Sequence, residues 1–322
     1  MPFSTLTCRP LGLSLRTMIF ALSAIAGLGA VLAILAAPAT ASAQEMTVAT
    51  ARGEVTIPAD PKTVLVFDLT SIDTLDALGV TITGVPTARY PDYLTKYNSN
   101  DVTKIGSLFE PDFEAVNAMK PDLIITGGRS RSQTDALAKI APTIDMTVDA
   151  KNFLPEAFMR IETLGRIFMK EDEAREAIAS LKASIETLNS EASDVGTGLI
   201  VLTTGNRISA FGPGSRFGVL HEGFGVKAAD EGLDTANHGE SVSFEYIADT
   251  NPDWLFVIDR DAAIGRGAAA SLLENELVEN TRAWRANHVV YLNPATWYLT
   301  SSGLQAMQIN VDQLTKRFAK GS

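Results

Sequence analysis

The chain has 322 residues, 46% hydrophobic and 20% charged, an ordinary globular composition with room for two domains of about 150 residues each. Its 38 acidic residues outnumber 27 basic ones, a balance that does not seek nucleic acid or anionic lipid. Cys8 is the sole cysteine, so no intrachain disulfide forms.

Arg9 and Arg16 precede an uncharged apolar run from Met18 to Ala37, and Ala41-Ser42-Ala43 follows with the small-x-small spacing of a cleavage site. Residues 1–43 read as a secretory signal cut after Ala43. The run is also long enough for a retained transmembrane anchor, a reading that the small residues around Ala39 oppose. Cleavage takes Arg9, Arg16 and Cys8 with it, leaving 25 basic against 38 acidic residues, a net of −13, and no thiol.

Val64 to Asp68 is a buried-strand run; a helix from Ser71 to Leu78 stops at Gly79, and a strand from Val80 to Val85 completes a βαβ opening. Residues 86–104 read as a loop with a short helix near Tyr93. Then comes Phe113 to Arg129, FEAVNAMKPDLIITGGR, which returns 131 positions later as Phe244 to Arg260, FEYIADTNPDWLFVIDR. Phe, Glu, Pro, Asp and Arg recur in register across both 17-residue copies. Each copy opens at a helix N-cap, Asp112 or Ser243, with Glu114 or Glu245 in the first turn, where a carboxylate suits the helix dipole. Pro121 and Pro252 end the helices, and short continuous apolar runs follow, the signature of parallel strands buried on both faces. Arg129 and Arg260 stand just past those strands. Ligands of open α/β sheets sit outside the carboxyl ends of strands, so the two arginines take equivalent binding positions in two similar lobes, with a cleft between.

A helix from Ser132 to Ile140, a strand from Ile144 to Val148 and a helix from Ala157 to Phe168 complete an N-terminal α/β lobe over 44–168. Glu171 to Ala192 has apolar Ala174, Ile178, Leu181, Ile185 and Leu188 at helical spacing and no Gly or Pro, so 169–195 is a linking helix. Strands at Gly198 to Thr203 and Ile208 to Phe211 open a C-terminal α/β lobe over 196–322, which closes with a helix from Leu304 to Phe318. Between them GPGSRFG, residues 212–218, opens a helix Phe217 to Gly223 with Ser215 as N-cap, a setting for Arg216 that favours an anion. The same loop misses the G-x-G-x-x-G spacing by one residue, which argues against a dinucleotide.

Two similar α/β lobes on one long helix, behind a signal peptide, resemble the periplasmic solute-binding proteins of iron-siderophore and vitamin B12 importers. ITGGR at Arg129, SAFGPGSRFG at Arg216, NHGESVSFE at His238, VIDR at Arg260 and NPATWYL at Tyr298 are similar, within that group, to the binding proteins for catecholate siderophores of the enterobactin-fragment and petrobactin type. The resemblance implies that Arg129, Arg216 and Arg260 surround an anionic ferric catecholate, and that His238 and Tyr298 reach the metal. It further implies that Glu114 and Glu245 dock into an inner-membrane ABC permease that works with its ATPase. The protein would then be a monomeric periplasmic binding protein and no enzyme. It would hold no intrinsic cofactor, the Fe3+ arriving inside the siderophore.

The chemistry agrees with this. An acidic protein must concentrate positive charge locally to hold an anionic complex, and guanidinium groups both donate to catecholate oxygens and stack on the rings. Ferric iron prefers six donors, takes phenolate readily and accepts imidazole, so a siderophore giving four oxygens leaves two positions for His238 and Tyr298. Trp254 and Trp284 are expected in the core and Trp297 at the cleft; His221 and His288 are structural or solvent-facing. Glu114 and Glu245, as helix-start acids, are expected at the strand end opposite the arginines. Haem, cobalamin or a hydroxamate complex are alternative cargoes. A secreted α/β enzyme is the rival class, and the chain lacks G-x-S-x-G, H-E-x-x-H, a phosphate-loop lysine motif and a mature cysteine nucleophile.

Overall fold

The computed structural model describes Phe3, residues 44–266 and residues 269–319; apart from Phe3, the expected signal segment 1–43 and its cleavage site fall outside the described residues. From Glu45 onward the chain forms one compact unit containing two large sheets and a two-stranded one. An antiparallel hairpin, β1 (Glu45–Thr50) and β2 (Gly53–Pro58), comes first and has no counterpart among the sequence expectations.

The first sheet contains β3 (Val64–Val66), β4 (Gly84–Val85), β5 (Thr103–Lys104), β6 (Leu123–Thr126) and β7 (Thr143–Asp145). It is all parallel in the order β5-β4-β3-β6-β7, a doubly wound arrangement with β3 central. The second sheet contains β8 (Thr197–Thr204), β9 (Arg207–Phe211), β10 (Lys227–Ala228), β11 (Glu240–Val242), β12 (Trp254–Asp259) and β13 (Val289–Tyr291). Its order is β11-β9-β8-β12-β13, with β10 on β8; β8, β10, β12 and β13 are parallel, while β9 runs against β8 and β11 against β9.

Alternation along the strands assigns each residue to one side of its sheet. Val64, Val66, Leu123 and Ile125 join one core, and Leu65, Phe67 and Ile124 join the core on the opposite face. In the second sheet Ile200, Phe256 and Ile258 face one way and Leu199, Val201, Leu255 and Val257 the other. Burial on both faces is why these strands read as continuous apolar runs.

The repeat is structural. Helices Phe113–Met119 and Phe244–Thr250 are both seven residues long, and the cap side chains accept from the third helical N–H, Asp112 from Ala115 and Ser243 from Tyr246. Both helices end on a left-handed residue, Lys120 (φ 47°) and Asn251 (φ 43°). The repeated aspartates also share a role. Asp122 Oδ2 accepts from Lys62 N at 2.9 Å and Thr63 N at 2.8 Å, pinning the start of β3, and Asp253 Oδ2 accepts from Thr197 N at 2.8 Å, pinning the start of β8.

The linking helix spans Glu171–Ala192 as expected, burying Ala174, Ile178, Leu181, Ile185, Leu188 and Ala192 in one stripe. Other elements differ in extent. The expected strand 80–85 pairs only at Gly84–Val85, because Thr83 Oγ1 takes the Val64 N–H and the chain enters the sheet late. The expected helix 132–140 is a 3₁₀ segment, Gly128–Gln133, followed by one turn, Thr134–Leu137. The helix expected from Ala157 begins at Phe153, since Pro155 falls in its first turn, where no intrahelical donor is lost.

The C-terminal helix Leu304–Phe318 was assigned to the second lobe by sequence order, yet its start is held by the first. Its N-cap, Gly303, makes no side-chain cap. Instead Asp73, fully buried in the helix Leu69–Ala77, accepts from Gln305 N at 2.8 Å and Ala306 N at 3.1 Å, and Thr74 Oγ1 accepts from Leu304 N at 3.3 Å. A side chain at 303 would run into the Asp73 carboxylate, so glycine is required by the close approach.

Burial pushes the Asp73 carboxyl up to about 7, against the hydrogen bonds from Tyr93, Gln305 and Ala306 that favour the charged form. An unfolded aspartate titrates at about 3.9, so the folded state holds this proton more tightly and its contribution to stability is full below about pH 4 and lost as pH rises toward 7. Thermal unfolding across that window should show a downward component in wild type that Asp73→Asn lacks; parallel pH profiles for the two proteins would show that Asp73 stays ionised.

Candidate functional site

The carboxyl ends of β3, β6 and β7 open on a cleft of 1150 Å³, whose second-lobe wall is the loop after β9, the loop before β11 and the chain around Tyr298. After β6 the chain passes Gly127, where a Cβ would come within 2.9 Å of the Asp68 carboxyl carbon, and turns at Gly128 (φ 46°) into the 3₁₀ segment bearing Arg129. In the second lobe Ser215 Oγ donates to Gly212 O at 2.5 Å and holds the turn that carries Arg216. The helix after it is only Val219–Glu222, and its N-cap is Gly218, without a side-chain cap. The expected helix start at Ser215 is thus replaced by a tight turn, and no helix dipole acts on Arg216.

Arg129 and Arg216 meet at Tyr298, the last residue of the helix Pro294–Tyr298, which Asn293 caps. Arg129 Nη2 and Arg216 Nη2 each donate to the Tyr298 carbonyl at 2.7 Å, and the two guanidinium carbons lie 4.9 and 4.4 Å from the Tyr298 ring centre. Arg260 begins the helix Arg260–Ala263 after β12; its side chain hydrogen bonds to the Tyr298 side chain and donates to Asp261 Oδ1 at 3.0 Å. The structure therefore brings Arg129, Arg216, Arg260 and Tyr298 together, from both lobes, although Arg260 touches the cleft only through Tyr298.

The electrostatics are those of an unneutralised cationic site. Burial and the neighbouring Arg129 charge lower the Arg216 guanidinium to about 10. Burial raises the Tyr298 phenol, but the Arg260 hydrogen bond and the Arg216 and Arg129 charges outweigh it, so the net shift is downward. Below Arg129, burial holds the Asp68 carboxyl above its ordinary range even though Ser71 hydrogen bonds and Arg129 favour its charge.

His238 lies exposed on the loop between β10 and β11 and lines the same cleft. His221 is half-buried, its Nδ1 2.9 Å from Val226 O, and His288 stacks 3.9 Å from Trp254; both serve the fold. Trp297 is not at the cleft. It is 1% exposed, packed edge-on to Phe224 in the core, because consecutive helical residues point about 100° apart and Tyr298 takes the cleft side.

Glu114 and Glu245 are exposed in the first turns of their helices. Their expected place at the far strand end is corrected. Each helix descends antiparallel to the strand it precedes, so its start lies at the carboxyl end, as the Gln133 Nε2 bond to Phe109 O at 2.9 Å shows for the first lobe. Both carboxylates thus lie on the arginine side of their sheets, though neither lines the cleft.

The sequence reading missed the wall at Met146–Lys151, Glu156, Met159 and Arg160, and the hairpin residues Ala49–Ala51. The strand-end rule applied to β7 would have found the former; nothing local in 49–51 announces the latter.

Of the six tyrosines, burial raises Tyr90, Tyr93, Tyr97, Tyr246 and Tyr291, and Tyr298 alone is lowered. Alkaline titration of phenolate absorbance should show one tyrosine ionising ahead of the rest and below about pH 10, the usual value. Tyr298→Phe should remove that step, and an unaltered curve would refute the arginine effect.

Comparison with known proteins agrees with this geometry. Petrobactin-binding protein YclQ of Bacillus subtilis is 43% identical over 255 residues, covering 78% of this chain and 80% of that protein. Its crystal structure superposes with a TM-score of 0.83 over 85% of this chain and 99% of that one. Ferric-anguibactin-binding protein FatB of Vibrio anguillarum is 31% identical, covering 83% of this chain and 85% of its own. The periplasmic catecholate-siderophore binding protein VctP of Vibrio cholerae has a TM-score of 0.81 at 31% identity, over 85% of this chain and all of that one. Residues 64–296 match the periplasmic binding protein family, a family of substrate-binding proteins rather than enzymes, and with two α/β lobes on a helical backbone this chain belongs to it.

Proposed function

We propose that this protein captures an anionic ferric siderophore of the catecholate type in the interlobe cleft and delivers it to an ABC permease. The observation that carries the reading is the convergence of Arg129, Arg216 and Arg260 on Tyr298. Cations placed side by side, with one already lowered by its neighbour, gain most from an anion that settles between them. The cleft, at 1150 Å³, exceeds the usual range of small-ligand pockets, about 300–1,000 Å³, and suits a bulky metal complex. That relatives are named for petrobactin, anguibactin and catecholate siderophores supports the cargo class.

Tyr298, its phenol biased toward phenolate, and His238 supply the fifth and sixth donors when the siderophore brings only four oxygens. The iron is cargo and the protein is a carrier, not a catalyst. On this reading the chain works as a periplasmic monomer, the apolar run 18–37 and Ala41-Ser42-Ala43 supporting export. Glu114 and Glu245, one exposed helix-start carboxylate per lobe, present the charges that dock to the permease.

Fluorescence-quenching titrations test the cleft. Arg129→Ala, Arg216→Ala or Arg260→Ala should each weaken a ferric catecholate by about 1.5–3 kcal/mol, the range for hydrogen bonds to charged groups. His238→Ala and Tyr298→Phe should weaken tetradentate complexes while sparing hexadentate ones; wild-type binding by all five variants would end the reading. Converting both Glu114 and Glu245 to Gln should leave affinity intact and slow uptake in cells, and unimpaired import would leave these residues with the capping role alone.

A further inference from the structure

Tyr298 is held in the cleft from behind as well as from in front. The residues after it, Leu299 to Ser302, are a tight turn closed by Gly303 N donating to Thr300 O at 2.7 Å, and they lead directly into the C-terminal helix. Thr300 is fully buried, and its Oγ1 lies 3.2 Å from the Tyr93 hydroxyl. Tyr93 in turn donates to Asp73 Oδ2 at 2.6 Å, and Asp73 also accepts the N–H groups of Gln305 and Ala306. Asp73 and Tyr93 come from the first lobe. The Asp73 carboxylate fixes the chain directly at seven and eight residues past Tyr298 and, through the Tyr93 hydroxyl, at two, while Arg129 and Arg216 fix the Tyr298 carbonyl from the cleft side.

We propose that Asp73 and Tyr93 are positioning residues of the iron site, acting through Thr300 and the start of the C-terminal helix to set where the Tyr298 ring and carbonyl stand. The inference rests on the reading of Tyr298 as an iron donor. A phenolate must reach a metal whose other four positions are already set by the siderophore, so displacement of its backbone by a fraction of an ångström is felt as lost coordination. A hexadentate complex makes no such demand.

The probes are a ferric linear bis-catecholate, with four donors, and a ferric tris-catecholate, with six, each bound to the full chain. Tyr93→Phe keeps the ring and removes only the hydroxyl, and Asp73→Asn keeps the shape and removes one acceptor. Tyr93→Phe should lower bis-catecholate affinity roughly three- to tenfold relative to tris-catecholate, the range of one lost hydrogen bond. It should also shift the ligand-to-metal charge-transfer band of the bound bis-catecholate in the same direction as Tyr298→Phe but less far. Asp73→Asn, where it folds, should do the same more strongly; where it does not fold, Tyr93→Phe and Thr300→Val decide. A lowered melting temperature with an unmoved band and an unchanged affinity ratio would reduce the network to a fold-stabilising cap and overturn the proposal. If Tyr298→Phe itself left the band unmoved, the donor role and this inference would fall together, whereas a band that moves in Tyr298→Phe and stays put in Tyr93→Phe sinks the inference alone.

Discussion

Two guanidinium groups from opposite lobes share one backbone carbonyl, that of Tyr298, and repel each other across it. A carbonyl and an aromatic face offset that repulsion only in part, since neither carries a full negative charge. The rest of the molecule is arranged so that this cluster neither collapses nor is quenched from within. Asp261 meets Arg260, but Arg129 and Arg216 have no carboxylate within ion-pair distance among the described residues. The two guanidinium groups therefore stand without a countercharge at the cleft.

Holding like charges in place needs a rigid frame, and the duplicated unit supplies one in each lobe. The Asp122 and Asp253 carboxylates tie the ends of two short helices to the starts of the central strands β3 and β8, and those same units deliver Arg129 and Arg260 at the strand ends opposite. Parallel pairing of β3 with β6 and β8 with β12 then places each arginine one strand spacing from the centre of its sheet. A local repeat of 17 residues has thereby placed an arginine at the carboxyl edge of each sheet.

What could be read from the chain was whatever depends on local pattern. The linking helix matched its expected span because its apolar stripe, acidic first turn and freedom from Gly and Pro all agree. Arg129 and Arg260 were legible from the repeat, and Arg216 from the Gly-rich stretch around Ser215 and the family resemblance. Trp297 was not, because Trp297 and Tyr298 are neighbours in sequence and only the rotation of one short helix decides which meets solvent. Nor was the placement of Glu114 and Glu245, which follows from helix direction relative to the strand and not from any residue. Asp73 lies furthest from local inference: its partners Gln305 and Ala306 are 232 and 233 residues away, and an aspartate in the mixed helix LTSIDTLDA reads as part of an exposed face until the C-terminal helix is seen to start on it.

The same long-range contact bears on how the cleft works. One continuous apolar core includes Phe153, Ala157 and Ile161 of the first lobe, the stripe of the linking helix, Phe256 and Ile258 of β12 and Met307 to Phe318 of the C-terminal helix. Rotating one lobe against the other would have to part this core and withdraw Asp73 from the helix start it caps, exposing apolar surface at about 25 cal/mol per Å² and leaving two buried N–H groups unpaired. Wide hinge motion is therefore opposed by the backbone of the molecule itself. The guanidinium cluster is accordingly held in position by the fold itself, with Arg129 and Arg216 already bonded to the Tyr298 carbonyl.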